Sequence, residues 1–340
     1  YVTLHESTPP RGYWDMEVLR RPLRWLDAEE ADGLGGISPD TPTVVVIPGR
    51  MNWDREADLA RLLGPLDRLV LLATGDEEGR FDPRAAAPHA LAWWYQMPHA
   101  PSDDVGVLPL GAPPNQWTDL CRPWADRDLR WCFAGQVTHE RRRQLAERLL
   151  ETPWGLLVAS DRFAVGIPQD TYAGVLGRSW VVPCPSGPVH PETFRVWEAI
   201  EAGAVPLVEQ SSVDGRDWRW LWEAHGIPDD LMVRDWDKVG EIIGRLCDDP
   251  AGIAERANRL QAALAWQSHD FAARIRTVLD EPPPSVTAIV TMSPIPSHPS
   301  LEVLEATVRS LRELGPGGPV IVACDGPQGG DNLDAYREAI

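Results

Sequence analysis

The stretch from Pro183 to Val208 holds the residue types and spacings best suited to binding an anion. A buried-strand pattern leads into a Ser186–Gly187 loop, and a helix is predicted from Pro191 to Ala202. Free N–H groups and the positive dipole end at a helix start attract anions. The Arg195 guanidinium can donate two hydrogen bonds to phosphate oxygens, and the Glu198 carboxylate can accept hydrogen bonds from ribose hydroxyls. A nucleoside diphosphate fits this pattern, although an exposed Arg–Glu pair on a helix surface would give the same spacing.

Weaker candidates for the same cleft follow neighbouring strands of the predicted sheet. Gly135 and Arg162 each lie beyond a strand end, where open parallel sheets bind their ligands. Thr193 lies near the start of the predicted helix and joins the proposed nucleotide contacts. An ordinary helix start capped by Thr138 would also explain the loop at Gly135. The arginine run 141–143 is interpreted as a solvated helix face.

The run from Tyr172 to Val208 resembles the nucleotide-sugar-binding half of exostosin-like glycosyltransferases, glycosyltransferase family 47. Arg195, Glu198 and an Ala-Gly-x-x-Pro sequence ending at Pro206 match the family pattern. The resemblance extends over roughly residues 129–280 and implies the two-domain GT-B fold, inversion at the anomeric centre and no metal in this part. One departure is Ser186, where many members carry arginine before the glycine.

Inverting transfer needs a base that takes the proton of the acceptor hydroxyl, and the N-terminal half is expected to supply it. Asp76 and Glu77 follow a strand predicted over 68–74, at its carboxyl end. An ordinary acidic turn would have the same composition. His99 and Asp103, after the next extended run, are weaker candidates.

The C-terminal segment resembles the opening of a GT-A glycosyltransferase. Strands are predicted over 286–291 and 320–324, with a helix over 301–314 between them. Asp325 ends the second strand and is the candidate nucleotide contact, although a turn Asp-Gly after any strand would look the same. The resemblance implies that a divalent metal is possible for a complete GT-A domain. The metal-binding Asp-x-Asp expected farther along is absent from this chain.

Alternating strand and helix patterns predict an α/β protein with parallel sheets. The predicted organisation is an N-terminal Rossmann-like, acceptor-side domain over 1–125 and a C-terminal Rossmann-like, nucleotide-sugar-binding domain over 126–280. A proline-rich linker over 281–285 and a partial GT-A β-α-β unit over 286–340 follow. About 55 residues are too few to bury a stable core, so the chain is expected to be part of a longer protein, cut at both ends.

Charge and composition exclude several function classes. With 32 basic and 51 acidic residues, the net charge of −19 argues against binding nucleic acid or an anionic membrane. No apolar run approaches the roughly 18 residues of a membrane span. The five cysteines form no CxxC pair, which is typical of reduced thiols and predicts a cytoplasmic protein.

The expected function is transfer of a sugar from a nucleoside diphosphate sugar to a glycan or other hydroxyl acceptor. Two alternatives stay open at this point. One is a nucleotide-sugar-binding scaffold without catalysis, and the other is a sugar-nucleotide epimerase that shares the half-fold.

Overall fold

The computed structural model describes residues 2–3, 23, 26, 34–35, 37–47, 56–112, 121–162, 166–211, 215–279, 288–292 and 320–324. The chain divides into two compact units, Tyr1–Leu279 and Asp280–Ile340. Every pairing between the described strands is parallel. The prediction of an α/β protein with parallel sheets is therefore confirmed.

The first sheet places its strands in chain order. Its elements are β1 (Val2–Thr3), β2 (Thr43–Ile47), α1 (Glu56–Leu63), β3 (Leu69–Ala73), α2 (Pro83–Ala86), β4 (Ala92–Gln96) and β5 (Val105–Leu108). Every residue of β2 and β3 is buried, so both faces of the sheet are covered. One face packs with α1 and α2 around Val45, Leu71 and Leu63.

The other face of the first sheet packs against a helix from the far end of the unit. This helix, Pro250–Val278, contributes Ala272 and Ile275 to a cluster with Leu72. Phe271 lies edge-to-face on Trp94, with ring centroids 5.5 Å apart. Residues 1–125 therefore do not close their core alone, and the boundary drawn at 125 stays a prediction.

The second sheet has the strand order β10-β9-β8-β6-β7. Its strands are β6 (Leu129–Gln136), β7 (Gly155–Ser160), β8 (Ser179–Cys184), β9 (Val205–Glu209) and β10 (Met232–Val233). The helices that follow α2 are α3 (Glu140–Leu150), α4 (Gln169–Leu176), α5 (Phe194–Glu201), α6 (Arg219–Ala224), α7 (Val239–Cys247) and α8 (Pro250–Val278). Short 3-10 turns lie at Trp124–Asp126, Asp229–Leu231 and Trp236–Lys238.

The strand order changes direction at β6. The chain passes from β6 to β7 on one side, then returns to place β8 on the other side. The segments that follow β6 and β8 therefore diverge, which opens a crevice at the carboxyl ends of these neighbouring strands. We call this the switch crevice; its walls are residues 134–142 and 185–195.

One predicted helix boundary and one predicted strand boundary differ from the structure near this crevice. α5 begins at Phe194, not at Pro191, because Thr193 has an extended backbone with φ −135°. β6 continues through Gly135 and Gln136, which were expected to follow the strand. Gly203 ends α5 as predicted: its φ is +66°, and its N–H donates to Ile200 O at 2.9 Å.

The second unit contains the parallel pair β11 (Ala288–Met292) and β12 (Val320–Cys324). The strands predicted on either side of a connecting helix are therefore confirmed. The helix predicted over 301–314 lies outside the described residues. None of the described helices combines the length and apolar character needed to cross a membrane.

Candidate functional site

The carboxyl ends of both sheets in the first unit meet at residues 186–192, which follow β8. The ring Nε2 of His190 lies 3.2 Å from Pro98 O, beyond β4. The Leu110 N–H, beyond β5, donates to the buried carboxylate of Glu192 at 2.6 Å. Segments from the first sheet therefore contact the wall of the switch crevice directly.

Arg142 lies across the switch crevice. Its Nε donates to Ser186 O at 3.1 Å and its Nη1 to Gln136 O at 3.5 Å, so it joins both walls. Burial and the nearby charge of Arg195 together lower the pKa of Arg142 to about 10, against the opposing effects of Glu209 and Glu77. The group stays charged at neutral pH. The interpretation of 141–143 as a solvated face was wrong for Arg142, whose side chain is buried.

Arg195 belongs to the first turn of α5 and reaches back to the end of β6. Its Nη2 donates to Ala134 O at 3.0 Å, and its guanidinium carbon lies 4.7 Å from the centroid of the Phe133 ring. A Cβ on Gly135 would collide with this guanidinium, so glycine is what allows the guanidinium to lie against the end of β6. Burial lowers the pKa of Arg195, but the neighbouring Tyr172, Cys184 and Glu198 outweigh burial and leave it raised.

Glu198 is buried beside Arg195, one helical turn farther along α5. Its Oε2 accepts a hydrogen bond from the Tyr172 hydroxyl of α4 at 2.9 Å. Burial raises the pKa of the Glu198 carboxyl, against Tyr172 and Arg195. The expected polar face of α5 is therefore packed against α4 and β6, and the alternative of an exposed Arg–Glu pair is wrong. That Glu198 binds ribose stays a prediction.

The backbone N–H groups of the Ser186–Gly187 loop are already engaged. The Ser186 N–H donates to Glu209 Oε2 at 3.2 Å, and the Gly187 N–H donates to His190 O at 2.9 Å. The start of α5, by contrast, has no side-chain cap, and the buried Thr193 Oγ1 has no partner among the described residues. An anion in the switch crevice would therefore meet the uncapped helix start before the loop amides.

Asp76 and Glu77 are adjacent in sequence but differ in surroundings. Asp76 is fully buried, and its Oδ2 accepts from the Phe81 N–H at 2.8 Å and from the Tyr95 hydroxyl. Burial and this hydrogen bond raise the pKa of Tyr95. Glu77 is half-buried, and its Oε1 lies 2.7 Å from the position that a Cβ on Gly187 would take. Of the two predicted bases, only Glu77 faces the switch crevice.

Two other predicted site residues remain, and only Arg162 is among the described residues. Arg162 lies beyond the end of β7, is largely exposed, and pairs with Asp161 at 3.7 Å. Asp325 lies outside the described residues. Within the described ranges, no three His, Cys, Asp or Glu side chains form a group that could hold a metal ion.

The walls of the switch crevice also contain polar groups of two residues that the sequence did not indicate, Gln136 and His139. Four buried side-chain atoms of these walls have no partner in the described part of the chain: Gln136 Oε1, His139 Nε2, Thr193 Oγ1 and Arg195 Nε. Buried polar atoms are nearly always hydrogen-bonded, so such a concentration indicates capacity for a polar ligand. Only the position of Gln136 and His139 between a strand end and a helix start could have suggested them.

The fold and the site together define an α/β protein with two parallel sheets whose carboxyl ends meet at one crevice. In comparisons with known proteins, the chain matches no protein-family model and no curated protein. The functional argument therefore depends on the crevice and its charges.

Proposed function

We propose that this chain is an inverting glycosyltransferase of the GT-B type. It would transfer a sugar from a nucleoside diphosphate sugar to a hydroxyl of a glycan or small molecule. One observation carries the proposal: Arg142 and Arg195 both reach the end of β6 at the topological switch point, near buried polar atoms that have no partner among the described residues. Their convergence indicates an anionic, multiply hydrogen-bonding ligand, and a switch point is where open parallel sheets bind nucleotides.

The diphosphate is the ligand group that best balances this arrangement. Two guanidinium groups lie close enough here to repel each other, and the nearby Glu209 and Glu77 act against that repulsion. A diphosphate would add negative charge and accept the Nε–H of Arg195, which has no partner among the described residues. The uncapped start of α5 adds backbone donors on the same wall. This local arrangement would allow a chain of net charge −19 to bind an anion.

The ribose would lie against Glu198. Tyr172 occupies Glu198 Oε2, and we assign Oε1 to the ribose hydroxyls. The contact with Tyr172 orients the carboxyl group and keeps its accepting oxygen in one place. The base of the nucleotide and the identity of the sugar are not part of the assignment.

Transfer would proceed by in-line displacement. The acceptor hydroxyl oxygen attacks the anomeric carbon, the bond to the diphosphate oxygen breaks, and Glu77 takes the hydroxyl proton. Arg142 and Arg195 stabilise the negative charge that develops on the leaving diphosphate. Glu77 is preferred to Asp76 because Asp76 is fully buried and its Oδ2 is engaged by the Phe81 N–H of its own turn and by the Tyr95 hydroxyl of β4.

A second candidate is a nucleotide-sugar-binding module that does not catalyse transfer. The engagement of Asp76 favours it, because only one of the two expected bases then faces the crevice. Donor hydrolysis or transfer by wild type, lost in Glu77→Gln, would exclude this candidate. Donor binding without turnover would support it.

The second unit is proposed to begin a GT-A domain. Its parallel pair β11 and β12 supplies the two strands of the expected β-α-β unit. A divalent metal is proposed only for the complete GT-A domain, and the GT-B part is proposed to act without one.

Calorimetric titration with nucleoside diphosphates tests the binding site. We expect Arg142→Met and Arg195→Met each to raise the dissociation constant about tenfold or more, since each removes hydrogen bonds from a charged donor. The matched control is Arg148→Met, a half-exposed arginine of α3 that pairs with Asp237 at 2.7 Å, away from the crevice. Equal affinity in wild type and both crevice variants would overturn the site, and absence of binding by wild type would overturn the function.

A further inference from the structure

Glu209, the last residue of β9, is a fully buried carboxylate that receives donors from three different segments. Its Oε1 accepts from Arg141 Nε of α3 at 2.9 Å and from Trp236 Nε1. Its Oε2 accepts from the Ser186 N–H at 3.2 Å. A buried charge of this kind persists only when it is paired and hydrogen-bonded, as it is here.

Charged side chains bind both backbone polar groups of Ser186. Glu209 binds its N–H, while Arg142 binds its C=O at 3.1 Å. Two consecutive arginines of α3 thus act on one loop: Arg142 directly, and Arg141 through Glu209. The next residue, Gly187, is the one that lies against Glu77.

We propose that Glu209 is a positioning residue for the donor site. It fixes the Ser186–Gly187 loop, and through that loop it keeps Arg142 placed for the diphosphate and Gly187 placed against Glu77. This inference rests on the proposed function, since it names what shapes the nucleotide site. Glu209 does not touch the donor.

A role for Glu209 through its charge and a role through its position predict opposite effects of its neutralisation on diphosphate affinity. By charge alone, a buried carboxylate near the diphosphate repels it, so neutralising Glu209 would tighten binding. If Glu209 acts by position, neutralising it loosens the loop and weakens binding. The sign of the change in affinity therefore separates the two roles.

The experiment titrates UDP, GDP and the corresponding nucleosides into wild type, Glu209→Gln and Glu209→Asp. Glutamine keeps the size but loses the charge and an acceptor oxygen, so we expect the dissociation constant of the diphosphate to rise about tenfold. Aspartate keeps the charge but is shorter, and we expect it to weaken binding as well. Nucleoside affinity should change less than about twofold, which a general loss of structure would not reproduce.

Several outcomes would overturn the positioning role. They are tighter diphosphate binding by Glu209→Gln, unchanged binding by both variants, and equal weakening of nucleoside and diphosphate. Asp237→Asn is the matched control, because Asp237 also receives an α3 arginine but is mostly exposed.

Should Glu209→Gln fail to fold, Arg141→Met removes the partly accessible donor to Glu209 and is expected to weaken diphosphate binding in the same direction. Wild type that binds no diphosphate overturns the proposed function itself, and the positioning role with it.

Discussion

Buried arginines form different hydrogen bonds at the two ends of the strands in the second sheet. We call these ends its amino edge and its carboxyl edge. At the amino edge, Arg127 donates from each of its three nitrogens to a backbone carbonyl. The acceptors are Arg122 O at 3.1 Å, Ser179 O at 2.6 Å and Ala202 O at 2.9 Å. At the carboxyl edge, Arg195 is also buried against the sheet but leaves its Nε without a partner among the described residues.

This difference separates a structural arginine from one with donors left for a ligand. Arg127 joins the segment before β6 to the start of β8 and the end of α5, so these hydrogen bonds stabilise the fold. Burial lowers the pKa of Arg127, because desolvation disfavours its charged form. Arg195 has the same chemistry and an incomplete set of partners. The comparison predicts stability effects at one edge and binding effects at the other.

The largest effect is expected from Arg127→Met. The substitution removes three hydrogen bonds from a charged donor to backbone carbonyls, two of them buried, and we expect the free energy of unfolding to fall by about 3–5 kcal/mol. Urea denaturation measures it. Arg178→Met, which removes a half-exposed pair with Asp128, should cost at most about 1 kcal/mol. A loss below that of Arg178→Met would remove the distinction between the edges.

The next effect concerns acid stability at the carboxyl edge. The ring Nδ1 of His190 accepts the Glu192 N–H at 3.2 Å, which requires a neutral ring, while Nε2 donates to Pro98 O. Burial lowers the pKa of His190 to about 4, against Glu192 and with His99 and His225 adding to the lowering. As the pH falls, His190 therefore becomes protonated in the unfolded chain before it does in the folded chain.

Stability attributable to His190 should be complete above about pH 6.5 and should fall by about 3 kcal/mol as the pH approaches 4. Urea denaturation across this range measures the slope. His190→Gln keeps a donor near the ε position and does not titrate, so its slope should be shallower. An equal slope in both proteins would assign the acid sensitivity elsewhere, such as to Glu192.

A smaller effect is expected from Gly135→Ala. The new Cβ collides with the Arg195 guanidinium, which must move away from the end of β6. We expect diphosphate affinity to fall about fivefold, near 1 kcal/mol. Gly174→Ala in α4 is the control, since its Cβ would meet no atom within 4 Å and should leave affinity unchanged. Unchanged affinity in Gly135→Ala would show that the position of Arg195 does not matter to the ligand.

The smallest effect is the stability change in Arg195→Met. The variant loses the bond to Ala134 O but also removes an unpartnered buried N–H, so we expect a loss of about 1 kcal/mol or less. Urea denaturation beside Arg127→Met makes the comparison direct. A loss as large as that of Arg127→Met would mean that Arg195 is structural.

Elements governed by local pattern were predicted closely. The strand predicted over 320–324 is observed at Val320–Cys324, and the strand predicted over 68–74 is observed at Leu69–Ala73. Periodicity and flanking turn residues decide such boundaries, and both are local. The start of α5 was predicted three residues early, although proline is acceptable in a first helical turn. The reason is tertiary: Glu192 is held by the Leu110 N–H and by Trp197 Nε1, which keeps the chain extended there.

The candidate site was predicted in part. Arg195 and Gly135 do lie together, and Glu77 does face Gly187. Arg142 and Glu209 were missed because their burial depends on contacts with Ser186, which is distant in sequence from both. A charge run on a helix is usually solvated, and nothing local marks the one arginine that turns inward.

By itself, the sequence determined the alternation of strands and helices, the parallel pairing that this alternation implies, and the glycine stop after α5. These features follow from hydrophobic period and backbone preference within a few residues. Only the tertiary structure decided which charges are buried and which are left with free donors. It placed Glu198 under Tyr172, closed Asp76 within its turn, and returned α8 to the first sheet. Burial of a charge depends on what packs against it, and those partners come from distant parts of the chain.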